Sequence, residues 1–389
     1  MRKFHIDQFP QDRIYVLLDR KLHNELFDFI KGGYKFEEFN NRYFKGSLNR
    51  HTYKIWKRRY SPFNKTHKVT FIPLWFIVKV SEILSKRFPI EEVEKKIIGF
   101  HGPSSSKVIW NPKLPLVEDG RLIKILSHFI GDGFIGGGFG SKLPKGKGSS
   151  EYRNFNEGLL NQFSKDLQVF GDIEVQIDYK GGHLFVPNSI GYIIKHIYKI
   201  ETDSFNSRLP KEIYNLDREV VSNFIRGFGD DEGHVYDNHI DFYSVNKSLL
   251  LDVMRLFKEK FPEIEISNLK RNDYSKNPKY YFYVLSKSRE EYLKLIGFDH
   301  DEKRKDLLFN INRVKTKNIG VRGESKRMIL EYLEEKEFTS KQLSRLIGIS
   351  HDVIIDHLNR LERDNLVHVI GKGLRNDKIW TSNSKVSTL

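Results

Sequence analysis

Two hydrophobic periods alternate along this 389-residue chain, and the points where one gives way to the other mark its elements. In LIKILSHFI (122–130) apolar positions recur every three or four residues, which predicts a helix with Leu122, Ile125, Leu126 and Phe129 on one stripe. That helix runs out on Gly131-Asp132-Gly133, and a second apolar run, NFIRGFGDDEGHV (223–235), ends in the same style on Glu232-Gly233. HIDFYSV (239–245) alternates strictly, so Ile240 and Phe242 share a strand face. Helical spacing returns in NEGLLNQFSKDLQVF (156–170) and SLLLDVMRLFKEKF (248–261). KRNDYSKNPKYYFYVLS (270–286) reads as a hairpin and EEYLKLIGF (290–298) as a closing helix. From about 111 to 200 and from about 206 to 312 the chain therefore repeats one order: helix, two strands, helix, two strands, helix. Each copy is entered by a basic-Leu-Pro triplet, KLP at 113–115 and RLP at 208–210. Units of about a hundred residues are too long for a solenoid. They predict an α+β protein in which a duplicated domain packs about a pseudo-two-fold axis, an internal dimer within a monomer.

The flanks are patterned differently. YKFEEFNNRYFKGSLNRHTYKIWKRRYSPF (34–63) reads as a short helix, a turn and a second helix rich in Lys and Arg. IPLWFIVKVSEIL (72–84) continues as a helix with Leu74, Ile77, Val78, Val80 and Ile83 as its buried stripe. Residues 1–110 are expected to form a helical, helix-turn-helix-like domain, with HGPSSSK (101–107) as a linker. The two repeats then occupy 111–204 and 205–319. From 320 to 389 the pattern predicts a helix, a helix capped by Thr339, a Gly348-Ile349-Ser350 turn, a third helix from about His351 to Arg363, and a hairpin. Leu343, Leu346, Ile347, Ile349, Ile354, Leu358 and Leu361 would supply its core. Three helices with such a turn and a following hairpin resemble a winged helix-turn-helix domain. Lys372 and Arg375 at the glycine-rich hairpin tip suit a phosphate backbone.

Composition narrows the partner. A formal charge of +15 favours an anionic one, of which nucleic acid is the commonest. The absence of cysteine excludes disulfides, thiolate zinc sites and cysteine nucleophiles. The first residues lack an apolar stretch of signal-peptide length, and FIPLWFIVKV (71–80) is interrupted by Pro73 and Lys79 and too short to span a bilayer. A cytoplasmic protein without membrane association is expected.

Two glycine-rich segments imitate phosphate-binding loops. Gly131, Gly133 and Gly136 have the G-x-G-x-x-G spacing, but that fingerprint follows a buried strand and opens a helix, the reverse of the order here. GSKLPKGKGSS (140–150) has the wrong glycine spacing for a phosphate loop and no Ser or Thr after its Gly-Lys pair, so it reads as a basic hairpin tip. The repeated acid is more informative. Ser127 and Gly131, four apart, would let a second helix approach closely, and Gly227, followed by Gly229, offers the same kind of surface. Two helices ending at one level would make Asp132 and Glu232 neighbours. Close carboxylates repel, and a proton or a cation relieves them. A hard dication such as magnesium takes oxygen ligands and keeps waters that can attack phosphorus. A basic frame draws phosphates toward it. The chemistry this implies is metal-assisted phosphodiester hydrolysis.

ILSHFIGDG (125–133) and IRGFGDDEG (225–233) resemble the paired signature helices of single-chain LAGLIDADG homing endonucleases. That resemblance implies an αββαββα fold in duplicate, with the signature helices at the centre and two antiparallel sheets forming a saddle on double-stranded DNA. It implies that Asp132 and Glu232 bind catalytic Mg2+ (or Mn2+), and that Lys287, before the last helix of the second repeat, polarises the phosphate or orients the water. The first repeat has no such lysine, and Lys180 is a substitute there. His128 stands where the family prefers an aliphatic residue and Asp231 where it prefers a small one, while Asp230 matches a common structural cap. Saddle strands would read the major groove through Tyr152, Arg153, Asn154, Lys270, Arg271, Lys279 and Tyr281. Two alternatives stand beside the endonuclease: a catalytically silent transcription regulator on the same scaffold, and an intron RNA maturase. Self-splicing is not expected, because the chain starts without Cys or Ser and ends in STL.

Overall fold

In a computed structural model of the chain, residues 1–57, 70–103, 107–136, 150–201, 205–273, 278–315, 324–373 and 377–383 are described. The protein is α+β, with its strands in small antiparallel sheets. Asp119 opens the first central helix, Gly120–Ile130, by accepting hydrogen bonds from the Arg121 and Leu122 amides. Every residue from Leu122 to Ile130 is buried, as a helix at the centre of a fold requires. Two strands (Gly133–Phe134, Ser150–Arg153), a helix (Glu157–Asp166), two strands (Gln176–Asp178, His183–Val186) and a helix (Asn188–Tyr198) follow. The second central helix, Arg218–Glu232, begins the same series: strands Gly233–Val235 and Ile240–Ser244, helix Lys247–Lys260, strands Lys270–Asn272 and Lys279–Val284, helix Arg289–Leu295. Each half folds its four strands into a sheet in the spatial order first, second, fourth, third. The element order read from the sequence is thus observed in both copies.

The central helices pack on each other through small residues. A Cβ placed on Gly227 would lie 3.2 Å from Ser127 Cβ, and Ser127 Oγ donates to the Phe224 carbonyl at 2.7 Å. Gly229 faces its own half, beside Tyr292 Oη. Lys124, 5% exposed, sets its Nζ 2.7 Å from Asp166 and 2.5 Å from Asp299, so one buried cation ties the first central helix to both halves. Burial opposes its charge, but the two carboxylates outweigh burial and hold the ammonium above its usual pKa.

Two expectations about the N-terminal segment need correction. Residues 1–110 are not simply helical: Tyr15–Leu18, Ile72–Pro73, Ile97–His101 and Ile109–Trp110 form a four-stranded antiparallel sheet. The run YVLL is a fully apolar strand rather than a helical turn, because both of its faces are covered. HGPSSSK (101–107) is not an interdomain linker; it joins the last two strands of that sheet, with 104–106 outside the described residues. Lys3–Phe4 pairs with Leu116–Val117, and one hydrophobic core runs from Phe4 to Ile311. A helix not foreseen in the sequence, Asp301–Lys315, follows the second repeat, with Leu307 and Ile311 buried.

The C-terminal segment has its own core around Leu333, Leu343, Ile354, Leu358 and Trp380. Its helices Glu324–Glu335, Ser340–Ile347 and His351–Arg363 and its hairpin Val367–Lys372/Lys378–Ser382 follow the predicted order, and Thr339 and Gln342 form a capping box. Leu346, assigned to the core, is exposed instead. No described helix is long and apolar enough to cross a membrane.

Candidate functional site

The two central helices finish against each other. A Cβ on Gly131 would lie 2.7 Å from Asp231 Oδ2, so the glycine leaves the space that the aspartate carboxylate fills. The Asp132 backbone amide also helps stabilise the Asp231 carboxylate. Asp132 and Glu232, each one residue beyond this contact, therefore leave the interface at the same level. The negative charge of Asp132 acts on Glu232, and that of Asp231 acts on both. Crowding by protein atoms and then Asp231 push the Asp132 carboxyl up to about 7, although Asp132 keeps an open face to solvent. Burial, followed by Asp132 and Asp231, pushes Glu232 up to about 8. Glu232 opens into a 220 Å³ cavity shared with Gly131, Tyr243 and Lys279.

Asp231 and His128, the two residues that depart from the signature-helix resemblance, are partners. The Asp231 side chain is fully buried; Tyr152 Oη donates to its Oδ1 at 2.6 Å, and His128 Nδ1 lies 2.9 Å from its Oδ2. Burial holds the His128 imidazole below its usual 6.5 and raises the Asp231 carboxyl. A proton shared inside a neutral hydrogen-bonded pair meets both tendencies at neutral pH. Asp230 is buried and accepts the Asp299 and His300 amides at 3.0 and 2.9 Å, which caps the entry to helix Asp301–Lys315.

That helix brings Lys303 to the acids. Its Nζ donates to the carbonyls of Gly229 and Asp230 at 3.0 and 2.5 Å, at the C-terminal end of the second central helix, where a cation is favoured. Its charge lowers Asp132, Asp231 and Glu232 against the upward pressures. Lys303 was missed because its own helix was; the signal was present in DEKRKDLLFNI, with acids in the first turn and Leu307 and Ile311 four apart.

Lys287 is not brought to this place. It lies beyond the far end of strand Lys279–Val284 and pairs with Glu265 at 2.6 Å, both exposed. Lys279 occupies the near end of that strand, and six residues of strand span roughly 20 Å. Lys180 lies in the turn between the last two strands of the first sheet.

The positions expected to read DNA divide. Tyr152 is wholly buried by its role toward Asp231 and offers no surface, and Asn154 is half-buried and bonds the Asn156 amide. Arg153 is exposed but engaged with Glu151 at 2.5 Å. Lys270, Lys279 and Tyr281 share the face of the second sheet opposite Phe242 and Phe282, which pack on helix Lys247–Lys260. Arg271, next to Lys270 in the strand, points to the other face and pairs with Asp273. Lys372 is exposed at the C-terminal hairpin, and Arg375 lies outside the described residues.

Among the described residues, no group of three or more His, Cys, Asp or Glu side chains is arranged to hold a metal ion. Two carboxylates are nonetheless a sufficient protein contribution for a hard dication that keeps waters and takes further oxygens from a phosphate.

Residues 323–369 match the family model described as bacterial regulatory protein, arsR family. A glutamine–fructose-6-phosphate aminotransferase (isomerizing) of Methanocaldococcus jannaschii is 22% identical over 330 residues, covering 79% of this chain; the chain spans only 29% of that relative's length. Among solved structures, the homing endonuclease I-DmoI in complex with DNA and Mn is 18% identical with a TM-score of 0.32, over 46% of this chain and 98% of that one. Full-length DUF199/WhiA from Thermatoga maritima is 14% identical with a TM-score of 0.32, over 64% of this chain and 92% of that one.

Proposed function

We propose that the chain is a site-specific, divalent-metal-dependent double-strand DNA endonuclease built on a duplicated LAGLIDADG-type core. The observation that supports this reading is that the charge of Asp132 acts on Glu232, one acid from each half, with both carboxyls raised chiefly by burial and then by neighbouring acids. Such a pair favours a cation in place of protons. Asp132 and Glu232 would hold Mg2+ or Mn2+, which when bound supplies charge neutralisation and an activated water at a phosphodiester. The chain's own residues do the rest. Asp231, His128 and Tyr152 set the spacing of the two tips, and Lys303 and Lys279 put positive charge where a phosphate would rest. Lys270, Lys279 and Tyr281 supply a face for the DNA duplex.

The test is cleavage of a randomised duplex library with magnesium. Asp132→Asn and Glu232→Gln are each expected to abolish cutting while sparing binding; Lys303→Ala is expected to slow it, and Lys287→Ala to leave it unchanged. Normal cutting by both carboxylate variants sinks the assignment. The second reading, a silent DNA-binding regulator, draws on the match of residues 323–369 to a regulatory family model. It predicts sequence-specific binding with no metal-dependent product.

A further inference from the structure

The positive charge is unevenly distributed. Residues 1–110 contain 22 Lys and Arg against 11 Asp and Glu; residues 111–323 contain 33 against 30, and residues 324–389 contain 11 against 10. Most of the +15 therefore belongs to the N-terminal segment. Between Phe39 and Ser81 there are ten Lys and Arg and no acid.

This segment contains a compact three-helix unit: Arg20–Gly33, Phe36–Phe44 and Arg50–Trp56. The turn between the last two is rigidly specified. Lys45 and Gly46 take positive φ (52° and 73°), and buried Asn40 clamps Leu48 through both its amide and its carbonyl, at 2.9 and 3.0 Å. Asn49 then caps the third helix by accepting the His51 and Thr52 amides. The underside of that helix is locked: Tyr53 and Trp56 pack among Phe27, Phe36 and Phe76, and His23 donates to the Trp56 carbonyl at 2.7 Å. Its outer face carries Arg50, His51 and Lys54, all exposed. Arg50 pairs with Glu37 of the preceding helix at 3.3 Å, but both side chains are well exposed and such a surface pair is weak, so a helix held from beneath with this cationic outer face is complementary to a polyanion groove.

We infer that the Arg50–His51–Lys54 face is a duplex-DNA contact surface, seated in the major groove, and that it supplies more of the electrostatic affinity than the nearly neutral C-terminal domain does. A helix of about 10–12 Å diameter enters the wide major groove of B-DNA but not the deep, narrow one of A-form RNA, which selects DNA as the partner. This inference rests on the DNA-directed reading above and extends it to a surface outside the duplicated core.

The experiment uses the full chain in EDTA and a fluorescein-labelled mixed-sequence DNA duplex, with anisotropy followed across a NaCl titration. R50A/K54A is compared with K258A/K294A, which removes the same formal charge from exposed helix positions behind the second sheet. R50A/K54A is expected to bind about tenfold more weakly and to lose about two units of salt slope, while K258A/K294A behaves as wild type. Equal behaviour of the two variants overturns the inference, as does tighter binding of an A-form RNA duplex by wild type. Wild-type protein that binds no duplex overturns both this inference and the endonuclease reading. Wild-type binding with an unaffected R50A/K54A overturns the N-terminal contact alone.

Discussion

The two halves of the core run through the same elements in the same order, yet their central helices present different residues at positions one hundred apart. Lys124 stands against Phe224, Ser127 against Gly227, His128 against Phe228, Gly131 against Asp231, and Asp132 against Glu232. The differences are complementary. Where the second half places a buried carboxylate, the first half has a glycine to admit it and a histidine and tyrosine to bond it. Where the second half buries a phenylalanine, the first buries a lysine that reaches Asp299 across the interface. Among the described residues only the second half is extended by a further helix, Asp301–Lys315, so Lys303 serves a tip to which both halves contribute. A symmetric pair would need each helix to accommodate its own image. A duplicated chain can instead let each half specialise, and its interface becomes a fit between unlike surfaces.

The largest way to break this fit is Lys124→Met. It leaves Asp166 and Asp299 without their shared cation in a buried place, and it is expected to lower stability by about 3–5 kcal/mol in urea unfolding. A loss below about 1 kcal/mol would mean the triad is not what joins the halves. Next is Gly131→Ala, whose Cβ collides with the Asp231 carboxylate, at an expected cost of about 1–3 kcal/mol. Asp231→Ala alone orphans His128 and Tyr152 and should cost about 1–3 kcal/mol. The double variant should cost clearly less than the sum; strict additivity would show that the two positions do not meet.

The smallest effect is on pH dependence. Asp132 and Glu232 have folded pKa values of about 7 and 8, above their ordinary 3.8 and 4.5. Acids raised in this direction stabilise the fold fully below about pH 4, and that contribution is lost as pH rises through 7 to 8. His128 shifts the opposite way, below 6.5, outside this window. In EDTA the Tm should fall by a few degrees between about pH 6.5 and 8.5, and added magnesium should restore more at the higher pH, because the ligands must first lose their protons. Asp230 and Asp231, raised by burial to about 7 and 8, add to the same loss, so a flat Tm in EDTA would mean that burial does not hold this group of carboxyls above its ordinary range.

Much of this was legible in the residues. The duplicated order of helices and strands could be read because a period of 3.6 or 2 is set by backbone geometry wherever one face is buried. The acid-glycine endings were visible for the same reason, as interruptions of an apolar stripe. The strand Tyr15–Leu18 was not legible, since a short, wholly apolar run has no period to read. Tyr152 shares its strand with Arg153, another candidate for the DNA face, but alternation along the strand turns it inward, and only the register with Leu184 shows which way. Lys287 was chosen by its place in the chain, whereas proximity to the acids is a matter of which end of a strand faces them.

Local sequence was enough to specify the helices and strands of the duplicated region and of the C-terminal segment, though not the strand Tyr15–Leu18 or the helix Asp301–Lys315, because propensity, capping and hydrophobic period act within about ten residues. It also made Asp132 and Glu232 the candidate acids. It could not say that His128 and Asp231, a hundred residues apart and each discordant in its own motif, satisfy one another, nor that Lys303 would arrive from a later helix. Pairings of that kind depend on which surfaces are buried together, and burial is a property of the assembled core rather than of any stretch of chain.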